Sequence, residues 1–269
     1  MAIGLEGAVA QSKALLRPVV RLVRAARKLL RHGVRRMAGA VADSLIYTGS
    51  LLDLGIVFNP SFGSVLFARD KLAAVTATNR PEASQKQWDL IAPAMLSRPG
   101  VVLDIGARKC FHTIKAAERA RHVFAVEYDA RICRDAGNLL YRLNIRNVFV
   151  LNFSFDEDTA HLLPQADTVF FLSVYHQWVV ERGPGKAFDL LGLLWAKADR
   201  EMFFSMADGL HSSVRYAPHL TFLGKTREEK LAGIAGLLGQ LPEANVRHLG
   251  AVPYWDREVR HVFKLERRP

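Results

Sequence analysis

From Val101 onward the chain alternates between short apolar runs that read as strands and longer amphipathic runs that read as helices, and this alternation constrains its fold more than any other feature. The runs at 101–105 ("VVLDI"), 122–127 ("HVFAVE"), 147–151 ("NVFVL"), 167–172 ("DTVFFL") and 201–206 ("EMFFSM") are rich in Val, Phe and Leu. Strands that are apolar on both faces belong to a buried parallel sheet with helices on either side. The spacing predicts those helices at about 112–121, 130–142, 185–198 and 226–240, with a short one around 156–163. The stretch "NVRHLGAVPYWDREVRHVFKLERR" reads as two further strands turning at Tyr254-Trp255-Asp256-Arg257, which adds an antiparallel hairpin. The expected architecture is a doubly wound, mostly parallel, seven-stranded α/β sheet.

In an open sheet of this kind, ligands bind beyond the carboxyl ends of the strands, where the strand order reverses. Asp104, Gly106, Glu127, Asn152 and Ser173 stand at such ends. Glu127 follows Gly106 by 21 residues. That is the usual place for an acid that accepts hydrogen bonds from ribose hydroxyls, with the glycine turn lying against the ligand. The turn itself, Gly106-Ala107-Arg108-Lys109-Cys110, carries a single glycine.

With these residues in view, the chain resembles the class I S-adenosylmethionine-dependent methyltransferases from about Gln87 to Leu265. The likeness rests on "VVLDIGARKCFHTI" for the family's first motif, "FAVEYDA" for its ribose-binding acid and "FFLSVYHQW" for its fourth strand and the turn after it. It implies a Rossmann-like fold and S-adenosyl-L-methionine as cofactor. It places Asp104, Gly106 and Ala107 at the methionine end, Glu127 on the ribose, Asn152 and Phe153 near the adenine, and Ser173 at the cleft. Asn152 stands where the family often has an acid, and an amide oxygen can still accept from the adenine amino group. Arg108 and Cys110 stand where the family pattern, Gly-x-Gly-x-Gly, has glycine. Arg108 is expected to be tolerated with its side chain pointing away and its backbone in an ordinary region; the alternative reading is a non-catalytic binding or scaffold protein that retains the fold.

In "SVYHQW", Tyr175, His176 and Trp178 are expected to emerge at the rim of the pocket, His176 as general base or acceptor contact. A histidine fixed structurally by the turn is the alternative there. Family members with a Ser-Val-x-His turn act on phosphate- or sugar-linked acceptors, so the resemblance implies O-methylation of a polar or anionic acceptor, small, glycan or lipid-linked. His112 is expected in the first helical turn near the cofactor. His211, Arg215, Tyr216 and His219 are weaker acceptor candidates in the segment after the fifth strand. The nine histidines show no metal-ligand spacing, and no metal is expected. The two cysteines, Cys110 and Cys133, form no CxxC pair, which suits a reducing compartment.

Charge adds one constraint. Between Lys13 and Arg36 lie nine basic residues and no acid; setting them aside leaves 28 basic against 26 acidic residues, so the net charge of +11 belongs mainly to one segment. Residues 13–37 are expected to form a basic amphipathic helix with Arg21, Arg24, Lys28, Arg31 and Arg35 on one stripe. Packing on the main domain, contact with an anionic membrane, and phosphate contacts in a nucleic acid all fit it, the last as an RNA methyltransferase. Residues 44–80 are read as short helices and a loop, so residues 1–80 form an N-terminal helical extension and residues 81–269 the methyltransferase-like domain. Neither a signal peptide nor a membrane-spanning run of roughly 18 apolar residues is expected. The expected location is cytoplasmic, peripheral to the inner face of a membrane if the helix meets lipid.

Overall fold

The computed structural model describes residues 56–59, 64–67, 81–210, 215–255 and 258–268. The expected basic helix lies outside the described residues. In the first of two compact units, residues 1–69, strands β1 (Ile56–Asn59) and β2 (Ser64–Phe67) pair antiparallel, Ile56 opposite Phe67. This corrects the expectation of short helices there. Ile56-Val57-Phe58 and Val65-Leu66-Phe67 are β-branched and aromatic runs, and the Pro60-Ser61-Phe62-Gly63 interval carries turn chemistry.

The second unit, residues 70–269, carries the alternating elements. They are α1 (Pro81–Ile91), β3 (Val101–Ile105), α2 (Phe111–Ala117), β4 (His122–Glu127), α3 (Ala130–Arg142), β5 (Val148–Asn152) and β6 (Ala166–Leu172). Then follow α4 (Tyr175–Arg182), α5 (Pro184–Trp195), β7 (Ala198–Ala207), α6 (Arg227–Leu238), β8 (Ala244–Trp255) and β9 (Glu258–Arg267). Short 3-10 turns occupy Ala160–Leu162 and Ala217–Leu223.

The sheet order is β5-β4-β3-β6-β7-β9-β8, parallel through β7 and antiparallel where β9 meets β7 and β8. This is the expected seven-stranded sheet with its antiparallel hairpin. The chain runs outward from β3 to β5, then returns to the other side of β3 to lay down β6. The reversal therefore falls between β3 and β6. Their centres are fully buried: Val102, Leu103, Val169, Phe170 and Phe171 expose essentially nothing.

Local chemistry explains the helix limits. Trp88 and Ile91 of α1 face inward, the helix stops at Ile91, two residues before Pro93, and Met95 is buried from a turn. Asp129 caps α3 by accepting from the amides of Arg131 and Ile132. Thr226 and Glu229 form a reciprocal capping box at α6. Helix α4 is an addition to the sequence reading, which has a rim turn at that point.

Candidate active site

A cleft of about 390 Å³ opens at the carboxyl ends of β3, β4 and β6, within the size range of small-molecule sites. Its floor is the turn that leaves β3. The Gly106 and Ala107 amides donate to the Val126 carbonyl, tying the turn to β4. Gly106 has φ +73, and a Cβ there would fall 2.4 Å from Val174 Cγ2, just past the end of β6. The two turns at the reversal point thus touch, and only glycine fits between them.

Arg108 and Cys110 also adopt left-handed backbone, at φ 46 and 62. The expectation of an ordinary conformation at Arg108 is corrected: positions 106, 108 and 110 are all left-handed, and the two that are not glycine stand there at a cost of about 1–2 kcal/mol each. What holds it is visible. The Arg108 amide donates to Glu127 Oε2 at 3.0 Å, and Cys110, fully buried, donates its amide to the Ala107 carbonyl. Burial pushes the Cys110 thiol far above its usual range, which makes it packing rather than a nucleophile.

Glu127 ends β4 and lines the cleft, its residue only 3% exposed. Oε2 accepts from Arg108 N and Oε1 from Asp129 N, both at 3.0 Å. Each carboxylate oxygen retains a second lone pair. The acid is therefore fixed in orientation by two backbone amides while keeping acceptor capacity toward the cleft.

The other residues expected at the cofactor divide. Ala107 and Ser173 line the cleft. Ser173 is left-handed at φ 65, donates its amide to the Ser205 carbonyl, and holds its hydroxyl 3.3 Å from that of Ser205. Ser205 also accepts from Gln87 Nε2 at 2.6 Å, which ties α1 to the cleft wall. Asp104 does not line the cleft. It is buried beneath the turn, where it accepts from Thr113 Oγ1 at 2.5 Å. Its carboxyl is raised to about 6, mainly by desolvation and against the Thr113 hydrogen bond. Asn152 and Phe153 are likewise outside the lining: Asn152 Nδ2 donates to the carbonyls of Glu127 and Tyr128, and Phe153 packs on the core. Asn152 thus holds the chain that leaves β4. Its neighbour Ser154 reaches the cleft instead.

Tyr175 and His176 correct the expectation most sharply. Helix α4 begins at Tyr175 and turns both side chains inward, leaving them 0% and 2% exposed, while Gln177 and Trp178 face the cleft. His176 packs against Tyr216 with ring centroids 4.3 Å apart and the planes tilted by 51°. Desolvation, with the nearby Arg260 charge, lowers it to about 3. An enclosed, neutral imidazole away from the lining does not meet an acceptor at the rim. His112 does line the cleft, among Trp88, Phe111 and Phe170; its enclosed Nε2 and desolvation lower it to about 3. Arg215 and His219 are exposed and outside the lining, and His211 lies outside the described residues.

Several lining residues escape sequence reading. Tyr128, 71% exposed, follows Glu127 and offers an aromatic face. Arg182 comes from the end of α4, and Tyr254 and Arg260 come from β8 and β9. Only the Tyr128 position had a usable signal, its place directly after a strand-terminal acid. Among the described residues, no group of three or more His, Cys, Asp or Glu side chains could hold a metal. No described helix is long and apolar enough to cross a membrane.

No family model matches the sequence, and no curated protein matches it. Solved structures do. The bifunctional kinase-methyltransferase WbdD superposes with a TM-score of 0.54 at 18% identity, over 70% of this chain and 40% of its own. The magnesium protoporphyrin IX methyltransferase ChlM from Synechocystis PCC 6803, with bound SAM, gives 0.50 at 17%, over 86% of this chain and 97% of its own. EvdMO1 gives 0.50 at 13%, over 84% and 47%. The present chain thus spans less than half the length of WbdD. These likenesses establish the fold as that of the class I S-adenosylmethionine-dependent methyltransferases.

Proposed function

We propose that this chain is an S-adenosylmethionine-dependent methyltransferase acting on an oxygen of a polar or anionic acceptor. The observation that carries the reading is Glu127, held by two backbone amides at the end of β4 with acceptor capacity toward the cleft, beside the Gly106-Ala107 turn that lines it.

The residues present fit the cofactor. Glu127 would take the ribose hydroxyls, the exposed Tyr128 ring would cover the adenine, and Gly106, Ala107 and Ser173 would line the methionine end. S-adenosylmethionine supplies a methyl group already activated on a sulfonium. What remains for the protein is to bind, orient and exclude water. The Gln87–Ser205–Ser173 chain of hydrogen bonds fixes the wall, and Trp178, stacked on Phe155 at 5.7 Å, fixes the rim. With His176 enclosed, no histidine is assigned as base; an acceptor oxygen that is ionised at neutral pH needs none.

The basic segment 13–36 supports a second element: it would bring the enzyme to an anionic, lipid-linked or glycan acceptor at the inner face of a membrane. Removing residues 1–40 should abolish co-sedimentation with anionic vesicles while leaving cofactor binding intact; loss of RNA gel shifts instead would favour a nucleic-acid acceptor.

The direct test is calorimetry with S-adenosylmethionine and S-adenosylhomocysteine. Saturable binding of both is expected. No binding at millimolar concentration would sink the enzyme reading and leave a fold-retaining binding protein.

A further inference from the structure

The cleft has a second chemical end, built by elements remote from the 106–110 turn. Arg260 of β9 and Tyr254 of β8 line it together, and the Arg260 guanidinium carbon lies 3.2 Å from the centroid of the Tyr254 ring. Glu258 meets Arg260 Nε at 3.5 Å. The Arg260 side chain is 13% exposed and that of Glu258 3%, so the pair is withdrawn from bulk solvent while Arg260 lines the cleft. Tyr216 lies within hydrogen-bonding reach of both Glu258 and Arg260, and His176 packs against Tyr216 at a tilt. Arg182, which also lines the cleft, is 30% exposed and meets Glu157 only at 3.7 Å.

A guanidinium held in this way has one purpose that packing does not require. Stacking on an aromatic ring occupies its face and leaves the in-plane N–H edges as the hydrogen-bonding surface. Glu258 takes the Nε edge at a long distance. The Tyr216 hydroxyl also reaches the guanidinium, and the donors that remain on the terminal nitrogens keep the planar geometry that matches an oxyanion. Partial burial strengthens such a contact relative to one in water. The opposing carboxylate meets only Nε and lowers the cost of keeping the cation there in the absence of a ligand.

We propose that Arg260 is the specificity-determining residue for the acceptor and that it binds an oxyanion, a carboxylate or a phosphate, carried by that acceptor. Tyr254 and Glu258 are positioning residues that hold the fork in place. The assignment deepens the methyltransferase reading and rests on it only for the word acceptor; the oxyanion site is defined by its own geometry.

The test uses the full chain. Inorganic phosphate and acetate are titrated separately, by calorimetry, into protein with and without S-adenosylhomocysteine. Wild type should bind at least one anion saturably, and the tighter of the two identifies the source. R260Q should weaken that binding about tenfold or more, and R260K by several-fold, because it keeps the charge but loses the fork. Equal binding in R260Q and wild type, or no saturable binding of either anion by wild type, overturns the proposal. S-adenosylhomocysteine binding by R260Q reports that the fold is intact, and R260K reads the same site should R260Q not fold. If the nucleoside fails to bind while phosphate or acetate still binds through Arg260, the methyltransferase reading falls and the oxyanion site stands. The converse pattern removes the oxyanion site alone.

Discussion

The Arg108 amide donates to Glu127 Oε2 at 3.0 Å, so the turn after β3 and the acid that ends β4 hold each other in place. A residue with a large side chain serves a glycine's conformational role because its backbone, rather than its side chain, meets the functional carboxylate. The cost of left-handed arginine is offset locally by a charge-assisted hydrogen bond, worth about 1.5–3 kcal/mol.

Replacing Arg108 by glycine should therefore change little. Relief of strain and the larger chain entropy of glycine nearly cancel, each being about 1 kcal/mol. The amide that meets Glu127 remains. Stability in urea should stay within about 1 kcal/mol, and cofactor affinity within about threefold. A gain of more than tenfold in affinity would show instead that the turn has decayed. Cys110→Gly is the less clean probe, because Cys110 is fully buried and its loss leaves a void.

Gly106→Ala should be severe. The new Cβ would lie 2.4 Å from Val174 Cγ2 on backbone at φ +73, which predicts a loss of about 2–4 kcal/mol from overpacking and left-handed strain together. Pairing it with Val174→Ala should recover the steric part only. Denaturation midpoints of the two single variants and the double variant separate the terms, and full recovery would mean that the φ requirement is unimportant.

Glu127→Gln keeps the shape but presents an amide NH2 to one of two backbone N–H groups that now meet a carboxylate oxygen. Cofactor binding should fall about 10- to 100-fold, while the fold survives. Unchanged affinity, measured by equilibrium dialysis, would remove Glu127 from the site.

Stability should fall as pH drops below about 6.5. His112 and His176 are lowered to about 3 by burial, so below the unfolded value near 6.5 the unfolded chain takes up protons that the folded protein refuses. Their contribution is complete above that value and is lost toward pH 3, at about 1.4 kcal/mol per pH unit for each histidine. Asp104, raised to about 6 by burial, acts in the opposite direction, favouring the fold at low pH and losing that contribution as pH rises through 6. His248 and His261 are lowered too and Asp135 is raised, so the histidines outnumber the aspartates and the net slope is positive between roughly pH 4 and 6. Urea midpoints at pH 5 and 7 check this. His176→Phe should flatten the slope by one proton, and an unchanged slope would place His176 in contact with water.

The sheet was legible because its strands are apolar on both faces, so runs such as 122–127 and 167–172 stand out from any helical pattern. Gly106 and Glu127 were legible because a glycine turn and an acid about 20 residues later form a spaced pair. The 56–59 and 64–67 strands were not, since four-residue strands give too few alternations to set against a helical reading. Tyr175 and His176 misled because Ser173-Val174 reads as loop, and one turn of undetected helix was enough to point both side chains into the core. Arg260 gave no signal at all. Its position on a strand was visible, but its role depends on Tyr254 across the hairpin and on α4 beyond it, relations that no local pattern encodes.

Strand β9 follows β8 in sequence yet lies between β7 and β8 in the sheet. β8 and β9 are adjacent in sequence and can pair with each other as a hairpin, so β8 joins the sheet only through β9, in the step that closes β9 on the edge of β7. The half of the cleft that bears Tyr254 and Arg260 is assembled in that same closing step, so the pocket completes itself only when the sheet does.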